Sequence, residues 1–275
     1  MTTFEIVPNI SEGRDPGIID ACIAAVEAAG ARVVHRTSDA AHHRSVLTIL
    51  GSGPTLVNAA VALAEVTSTR IDLRDHRGVH PRIGALDVLP FVPLGGATLD
   101  QAAALAREAA ERIWDRLRVP SYYYGAASAT GRTLPSVRHG QFEGLPARTD
   151  SPDVGGPGGH PSAGAIAIGA RPILIAFNVD LATGDLAIAK QIARIVRERD
   201  GGLRTLRALG LRLSHETVQV SLNLTEYHAT PLYRVVETIR ALAAGREVDV
   251  RGSELIGCLP LDAVTAAADY YLGIS

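Results

Sequence analysis

The order in which hydrophobic periodicity changes along the chain constrains its fold more than any other feature. Residues 3–10 alternate with period two, and residues 15–29 carry apolar positions at helical spacing. Pro16 suits the first turn of that helix and Gly30 its end. Residues 31–37 and 44–50 are β-prone, 54–68 form an alanine-rich helical stretch, and 86–92 are β-prone again. Strand, helix, two strands, helix, strand is the split βαβ or ferredoxin-like unit. A helix over 98–117 and a strand over 120–124 extend it. The order then starts again, with strands at 164–169 and 171–178, a helix at 184–198, and strands at 204–213 and 217–224. A helix at 229–244 and a strand at 248–256 complete it. The expected fold class is therefore α/β in the α+β sense, with two ferredoxin-like βαββαβ subdomains side by side over residues 1–170 and 171–275. A crevice between two such subdomains would suit a small ligand.

Composition narrows the partners. The 275 residues carry a formal net charge of −2, which points to neither nucleic acid nor an anionic membrane. Lys190 is the only lysine, so the cationic groups are arginines, which bind carboxylates through two parallel donors. Cys22 and Cys258 stand in apolar stretches and read as small core residues rather than a disulfide framework. The N-terminal MTTFEIVPNISEG has no basic region followed by an apolar run, and no apolar stretch is of spanning length, so a cytoplasmic protein is expected.

Between the helix at 54–68 and the strand at 86–92 lies DHRGVHPRIG, residues 75–84. Gly78 and Pro81 forbid a continuous helix there, so the polar residues form a loop that feeds directly into a strand. His80 is the leading proton-transfer candidate, because imidazole titrates nearest neutrality. A surface-loop histidine is the competing reading. His76 and His80 are four apart, but without a helix or a further ligand they make no metal site, and none is expected. His42 and His43 cannot both face one site from an extended strand. Asp39 reads either as a carboxylate stabilising its own turn or as the partner of a catalytic histidine. Asp87 reads as a structural acceptor at the strand entry. Asn178, Gln219 and Asn223 fall on predicted core strands, where an amide must find partners. Residues 125–163 are rich in glycine, proline, serine and arginine, and form a long irregular segment that is either functional or disordered.

Several stretches carry a resemblance. VPNISEG (7–13), HPRIGALDVLPF (80–91), YYYGAAS (122–128), GARPILIAFNVDL (169–181), QVSLNLTEY (219–227) and GSELIGCLPLDAV (252–264) resemble the glutamate formimidoyltransferase (formiminotransferase) family. That family includes the transferase domain of formiminotransferase-cyclodeaminase. The similarity runs in order through both halves. It implies two α/β subdomains, each with a four-stranded sheet, and a folate groove between them. The reaction it implies moves a formimino group from N-formimino-L-glutamate to tetrahydrofolate, with tetrahydrofolate as co-substrate and no metal. His80 matches the family's catalytic histidine, and Asp39 an aspartate thought to assist it. Gly155, Gly156, Pro157, Gly158, Gly159, His160, Pro161, Ser162, Ala163 and Gly164 match the folate-contacting segment. Ala163 stands where an aromatic can stand in animal members. The resemblance further suggests a homodimer.

The expected chemistry has His80 take the proton of the attacking folate nitrogen and return it to the departing glutamate amine. Asp39 would hold the other ring nitrogen. Arg82, Arg44 and Arg171 are candidate clamps for substrate carboxylates, with Arg82 alternatively bracing the loop. A formyl donor in place of the formimino donor, or folate binding without turnover, are the rival readings.

Overall fold

In the computed structural model, which describes residues 2–40, 42–78 and 80–274, the first strand is split by a proline. β1 (Thr3–Ile6) and β2 (Asn9–Ile10) both lie between β4 (Arg44–Ser52) and β5 (Leu86–Pro93). Pro8 between them has no N–H to give to the ladder, and only its carbonyl is used, by Leu47 N. β3 (Arg32–Asp39) pairs antiparallel with β4 as a hairpin in which Asp39 faces Arg44.

The chain divides into two compact units, residues 1–172 and 173–275. In the first, β6 (Ser121–Gly125) and β7 (Ile166–Ala170) add in parallel beyond β5. The sheet is thus seven-stranded and mixed, not the four-stranded sheet implied by the resemblance. β7 opens the renewed strand order of the sequence yet falls within the 1–170 boundary expected for the first subdomain. It joins the first because its Ile166, Ala167, Ile168 and Ala170 are buried, and β5 still offers it a free edge.

α1 (Pro16–Ala28), α2 (Gly53–Arg70) and α3 (Leu99–Leu117) pack with the sheet through one core that runs from Phe4 to Ala170. Their ends follow from local chemistry. The Asp15 carboxylate accepts from Gly17 N and Ile18 N, with Pro16 at the first position. Thr98 and Gln101 form a reciprocal capping box on α3. α3 buries a stripe of alanines ending at Ile113, side chains short enough to let its backbone approach the sheet.

β5 is buried on both faces. Its second face packs in a smaller cluster with Tyr122, Tyr124, Val137 and Leu145, while Tyr123 points to the main core. Val137 and Leu145 come from the long glycine-rich segment, which contains the short helices α4 (Leu134–Val137) and α5 (Gln141–Gly144) and a 3₁₀ turn at Leu145–Ala147. Part of that segment is thus a lid on the sheet's second face, a role that composition does not encode.

The second unit is an antiparallel four-stranded sheet. β8 (Ile175–Leu181), β9 (Leu206–Arg212), β10 (Val218–Leu224) and β11 (Val250–Ile256) lie in the order β11-β8-β10-β9. α6 (Leu186–Val196) and α7 (Leu232–Ala244) close it over one core, in the expected βαββαβ order. α8 (Leu261–Leu272), for which the sequence reading had no element, follows. Asn178 donates to Glu254 and Gln219 to Asp180, as buried amides must. Asn223 is exposed instead, because it falls on the solvent side of β10's alternation. Cys22 is buried, which pushes its thiol up to about 12. Cys258 lies beyond β11 and is exposed, contrary to the expected core position.

Candidate active site

The hairpin turn after β3 and the polar loop before β5 meet at one end of the first sheet. Their approach is close because glycines stand where backbone meets backbone, Gly78 in the polar loop and Gly13 in the turn after β2. A Cβ on Gly78 would stand 2.4 Å from the His42 carbonyl oxygen, and one on Gly13 would stand 2.2 Å from that of Asp39. Three stretches far apart in sequence, 11–14, 42–45 and 76–82, are thereby held in contact. Ser11 Oγ donates to Gly84 O, and Ser45 Oγ to Glu12 O.

The result is a cavity lined by Ser11, His42, His43, Arg44, His76, His80, Arg82 and Asp87. His42 and His43 both reach it, contrary to the strand-based expectation. They lie in the turn rather than on a strand, and His43 adopts a left-handed φ of 52°.

Each of the four imidazoles has its tautomer set by an obligate partner. His80 Nδ1 lies 2.8 Å from Pro81 O and must donate to it, which leaves a lone pair on Nε2. Arg44 Nη1 covers this ring, 2.7 Å from Nδ1 and 2.5 Å from Nε2. His42 Nδ1 donates to the Asp39 carboxylate at 2.8 Å, and the same carboxylate accepts His42 N. Asp39 is therefore the partner of His42, whose ring meets His80 edge to face with centroids 6.2 Å apart.

His43 and His76 form a second pair, stacked with centroids 4.3 Å apart. His43 Nε2 donates to Glu12, and His76 Nε2 donates to His43 O. His76 Nδ1 accepts from Arg82 Nε. The rest of the Arg82 guanidinium forks onto Glu143, at 3.0 and 2.7 Å. Arg82 thus braces the loop against α5. Asp87 is the expected structural acceptor: it takes Ile83 N and pairs with Arg138. Arg171 sits elsewhere in the first unit, beside Tyr124 and Pro172.

The glycine-rich segment reaches this neighbourhood through its far end. Leu73 N donates to Ser162 O, Ala85 N to Ala163 O, and Ala165 N to Ile83 O. The Gly164 Cβ position is 2.1 Å from Ile83 O, and Gly84 is equally tight against Ala165 O. His160 Nδ1 accepts from Ala163 N, closing a tight turn. Ala163 is buried in the core. Gly155 and Gly159, both at positive φ, pass Trp114 and Leu145 too closely for a side chain. Gly158 has open space around it.

Glu12, His43, Arg138 and Glu143 are participants that the residue-by-residue reading had missed. The only sequence signal for Glu12 is its place in VPNISEG. Among the described residues no group of three or more His, Cys, Asp and Glu side chains could hold a metal ion. No helix is long and apolar enough to cross a membrane.

Burial, with the Arg44 and Arg138 guanidiniums beside it, pushes the His80 imidazole down to about 2. His76 is lowered too, mainly by burial. An unfolded imidazole takes up its proton near 6.5, so below that pH the unfolded chain binds more protons than the folded one. Stability carried by a neutral His80 is present above pH 6.5 and is lost as the pH falls. Urea midpoints at about pH 7.5 and about pH 5 should therefore differ more for the wild-type protein than for His80→Gln. Equal differences would contradict the neutral, capped state of His80.

Comparison with known proteins places this geometry. The formiminotransferase domain, N-terminal subdomain, matches residues 3–171, and the formiminotransferase domain matches residues 176–274. A glutamate formimidoyltransferase of Streptococcus pyogenes is 39% identical over 98% of this chain and 93% of its own length. One from Thermoplasma acidophilum is 38% identical over 100% of this chain and 94% of its own. The formimidoyltransferase-cyclodeaminase of Rattus norvegicus is 36% identical over 97% of this chain, which spans 52% of that longer protein. Both subdomain families match in order, and the similarity to these relatives covers nearly the whole chain, so the chain belongs to the formiminotransferase family.

Proposed function

We propose that this protein is a glutamate formimidoyltransferase. It moves the formimino group of N-formimino-L-glutamate to tetrahydrofolate, giving 5-formiminotetrahydrofolate and glutamate in histidine degradation. The observation that carries this reading is similarity to glutamate formimidoyltransferases along almost the whole chain. Residues 1–170 and 171–275 serve as its two subdomains, and it acts in the cytoplasm as a homodimer.

His80 is the general base. The folate nitrogen attacks the carbon of the protonated formimino group with its lone pair, the C=N π pair moves onto the terminal nitrogen and returns on collapse, and the folate proton passes to His80 Nε2, the ring nitrogen not engaged by Pro81 O. The tetrahedral adduct then collapses. The bond from carbon to the glutamate nitrogen breaks, the pair leaves with nitrogen, and His80 returns the proton to it. Protons balance, and no metal or redox partner is needed. Asp39 acts through His42, whose ring it orients against that of His80. Residues 155–164 contact the folate, and their backbone attachment beside Ile83 and Ala85 keeps them near the histidine loop. Arg44 is the carboxylate clamp, since Arg82 is committed to Glu143 and His76.

The direct test follows the absorbance change when tetrahydrofolate is mixed with formiminoglutamate and, separately, with a formyl donor. Transfer from the formimino donor supports the reading. Transfer from the formyl donor alone, or tight folate binding without turnover, would replace it. His42→Gln should lower the rate by about tenfold and leave both KM values near wild type, as loss of an orienting group does. A rate unchanged in that variant would remove Asp39 and His42 from the mechanism.

A further inference from the structure

We propose that His43 is a specificity-determining residue of the transfer: its Nδ1 is a fixed lone-pair acceptor for the N–H of the donor's formimino nitrogen, so the site takes a formimino group and rejects a formyl group of the same shape. The identity of the donor rests on the transfer reading above; the acceptor itself rests on geometry.

Three observations converge. First, the tautomer of His43 is fixed by Glu12. That carboxylate accepts Arg14 N, Asp15 N and His43 Nε2, at 2.7, 3.0 and 3.1 Å. A carboxylate held by backbone amides stays ionised, so Nε2 carries the proton and the neutral ring keeps its lone pair on Nδ1. Second, that lone pair is vacant. Among the described residues that line the cavity, His43 Nδ1 is the one buried side-chain nitrogen or oxygen without a hydrogen-bond partner. The neighbouring groups are all engaged: His76 uses both ring nitrogens, and Arg82 spends Nε on His76 and its two terminal nitrogens on Glu143. One vacant acceptor in a network otherwise paired marks a place kept for a ligand. Third, the ring cannot turn away. It stacks on His76 with centroids 4.3 Å apart and planes within 7°, on a backbone of left-handed φ. Gly78 makes room for the stack, since a Cβ there would stand 2.9 Å from His43 Cβ and 3.0 Å from His76 Cε1.

The cavity has no room for a water molecule, so the vacancy is not a solvent site. A donor reaches it when the half-buried side chains of His42, Arg44 and His80, which share the cavity wall, turn aside. The two possible donors differ at one atom. N-formimino-L-glutamate ends in a nitrogen that bears hydrogen, and N-formyl-L-glutamate in an oxygen that bears only lone pairs. The nitrogen can donate to Nδ1 as the protonated formimino group, as the amine of the tetrahedral adduct, and again after collapse. No proton passes to His43, and His80 keeps the folate proton. The Glu12 charge behind the ring favours the cationic form of the group. A formyl oxygen would set lone pair against lone pair and leave Nδ1 unpaired. That is how a site built for an N–H rejects the analogue lacking it.

The test is NMR of the 15N-labelled His43 ring in the wild-type full chain at neutral pH, with folic acid present, whose oxidised ring cannot accept the group. Nδ1 should be unprotonated before a donor is added. Its resonance should shift as for an accepted hydrogen bond with formiminoglutamate, and stay in place with N-formyl-L-glutamate. By calorimetry under the same conditions, the wild-type protein should bind formiminoglutamate at least about tenfold more tightly than its formyl analogue. His43→Phe, which keeps a ring on His76 but has no acceptor, should bind the two alike. A protonated Nδ1, an Nδ1 indifferent to formiminoglutamate, or a preference that survives in His43→Phe overturns the proposal. The NMR arm uses the wild-type protein, so a variant that fails to fold does not remove the test. A shift with formiminoglutamate but no transfer when tetrahydrofolate replaces folic acid supports the acceptor and sinks the reaction reading. Transfer without the shift sinks the acceptor alone.

Discussion

His80→Ala is expected to lower formimino transfer by about 10²–10⁴-fold, with tetrahydrofolate still bound. The size follows from removing the ring proposed to take the folate proton through Nε2, the nitrogen that the Pro81 bond leaves free. Among the other three rings, His76 has both nitrogens engaged, by Arg82 and His43 O. His43 sits stacked under His76 with Glu12 on its Nε2. His42 is held by Asp39 one ring away. The variant should fold, because His80 is half-buried and its removal relieves a ring held beside two guanidiniums. Single-turnover transfer with pre-bound folate separates chemistry from binding. A variant with more than about a tenth of wild-type turnover would show that the proton leaves by another route.

Gly164→Ala should destabilise the first unit by roughly 2–4 kcal/mol, through both a left-handed backbone and a clash with fixed backbone. Gly164 has φ +71°, and an added Cβ would meet Ile83 O at 2.1 Å. Neither neighbour can yield cheaply, because Ile83 O already accepts Ala165 N and Ile83 N is held by Asp87. The thermal midpoint should fall by roughly 5–10 °C. Gly158→Ala is the matched control: its φ is +89° but nothing lies within 4 Å of the added atom, so only the backbone cost of about 1–2 kcal/mol remains. Equal losses in the two variants would mean that the contact between the glycine-rich segment and the histidine loop contributes nothing. Because that contact carries the loop, Gly164→Ala should also slow transfer more than Gly158→Ala does.

Much of the fold was legible because its elements are driven by local periodicity and capping. The helices begin where Asp15, Ser52, Thr98 and Asp185 supply acceptors to free N–H groups, and all four lie at the starts that the apolar pattern indicates. The second unit's βαββαβ order follows in the same way. The strand partners of β7 were not legible. Its apolar run fits an edge of either unit, and only the parallel pairing with β5 and β6 decides between them. α8 was missed because its exposed Leu261, Val264 and Leu272 disturb the amphipathic pattern that marks a packed helix.

By itself, the sequence determined the order of most secondary elements, the loop at Gly78 and Pro81 that cannot be helical, and His80 as its leading proton-transfer candidate. These follow from backbone sterics and from the intrinsic pKa of one side chain, which act within a few residues. Only the tertiary structure decided that Asp39 holds His42, that Arg82 is spent on Glu143, and that Arg44 covers His80. The last two depend on which polar atoms are brought within 3 Å or so across 36 to 61 positions of chain, and the first on a turn that sets Asp39 against a residue three positions on. No local rule selects one arginine among many. The choice is made by close backbone approach at Gly13, Gly78, Gly84 and Gly164, and by the cost of leaving any buried donor or acceptor unpaired.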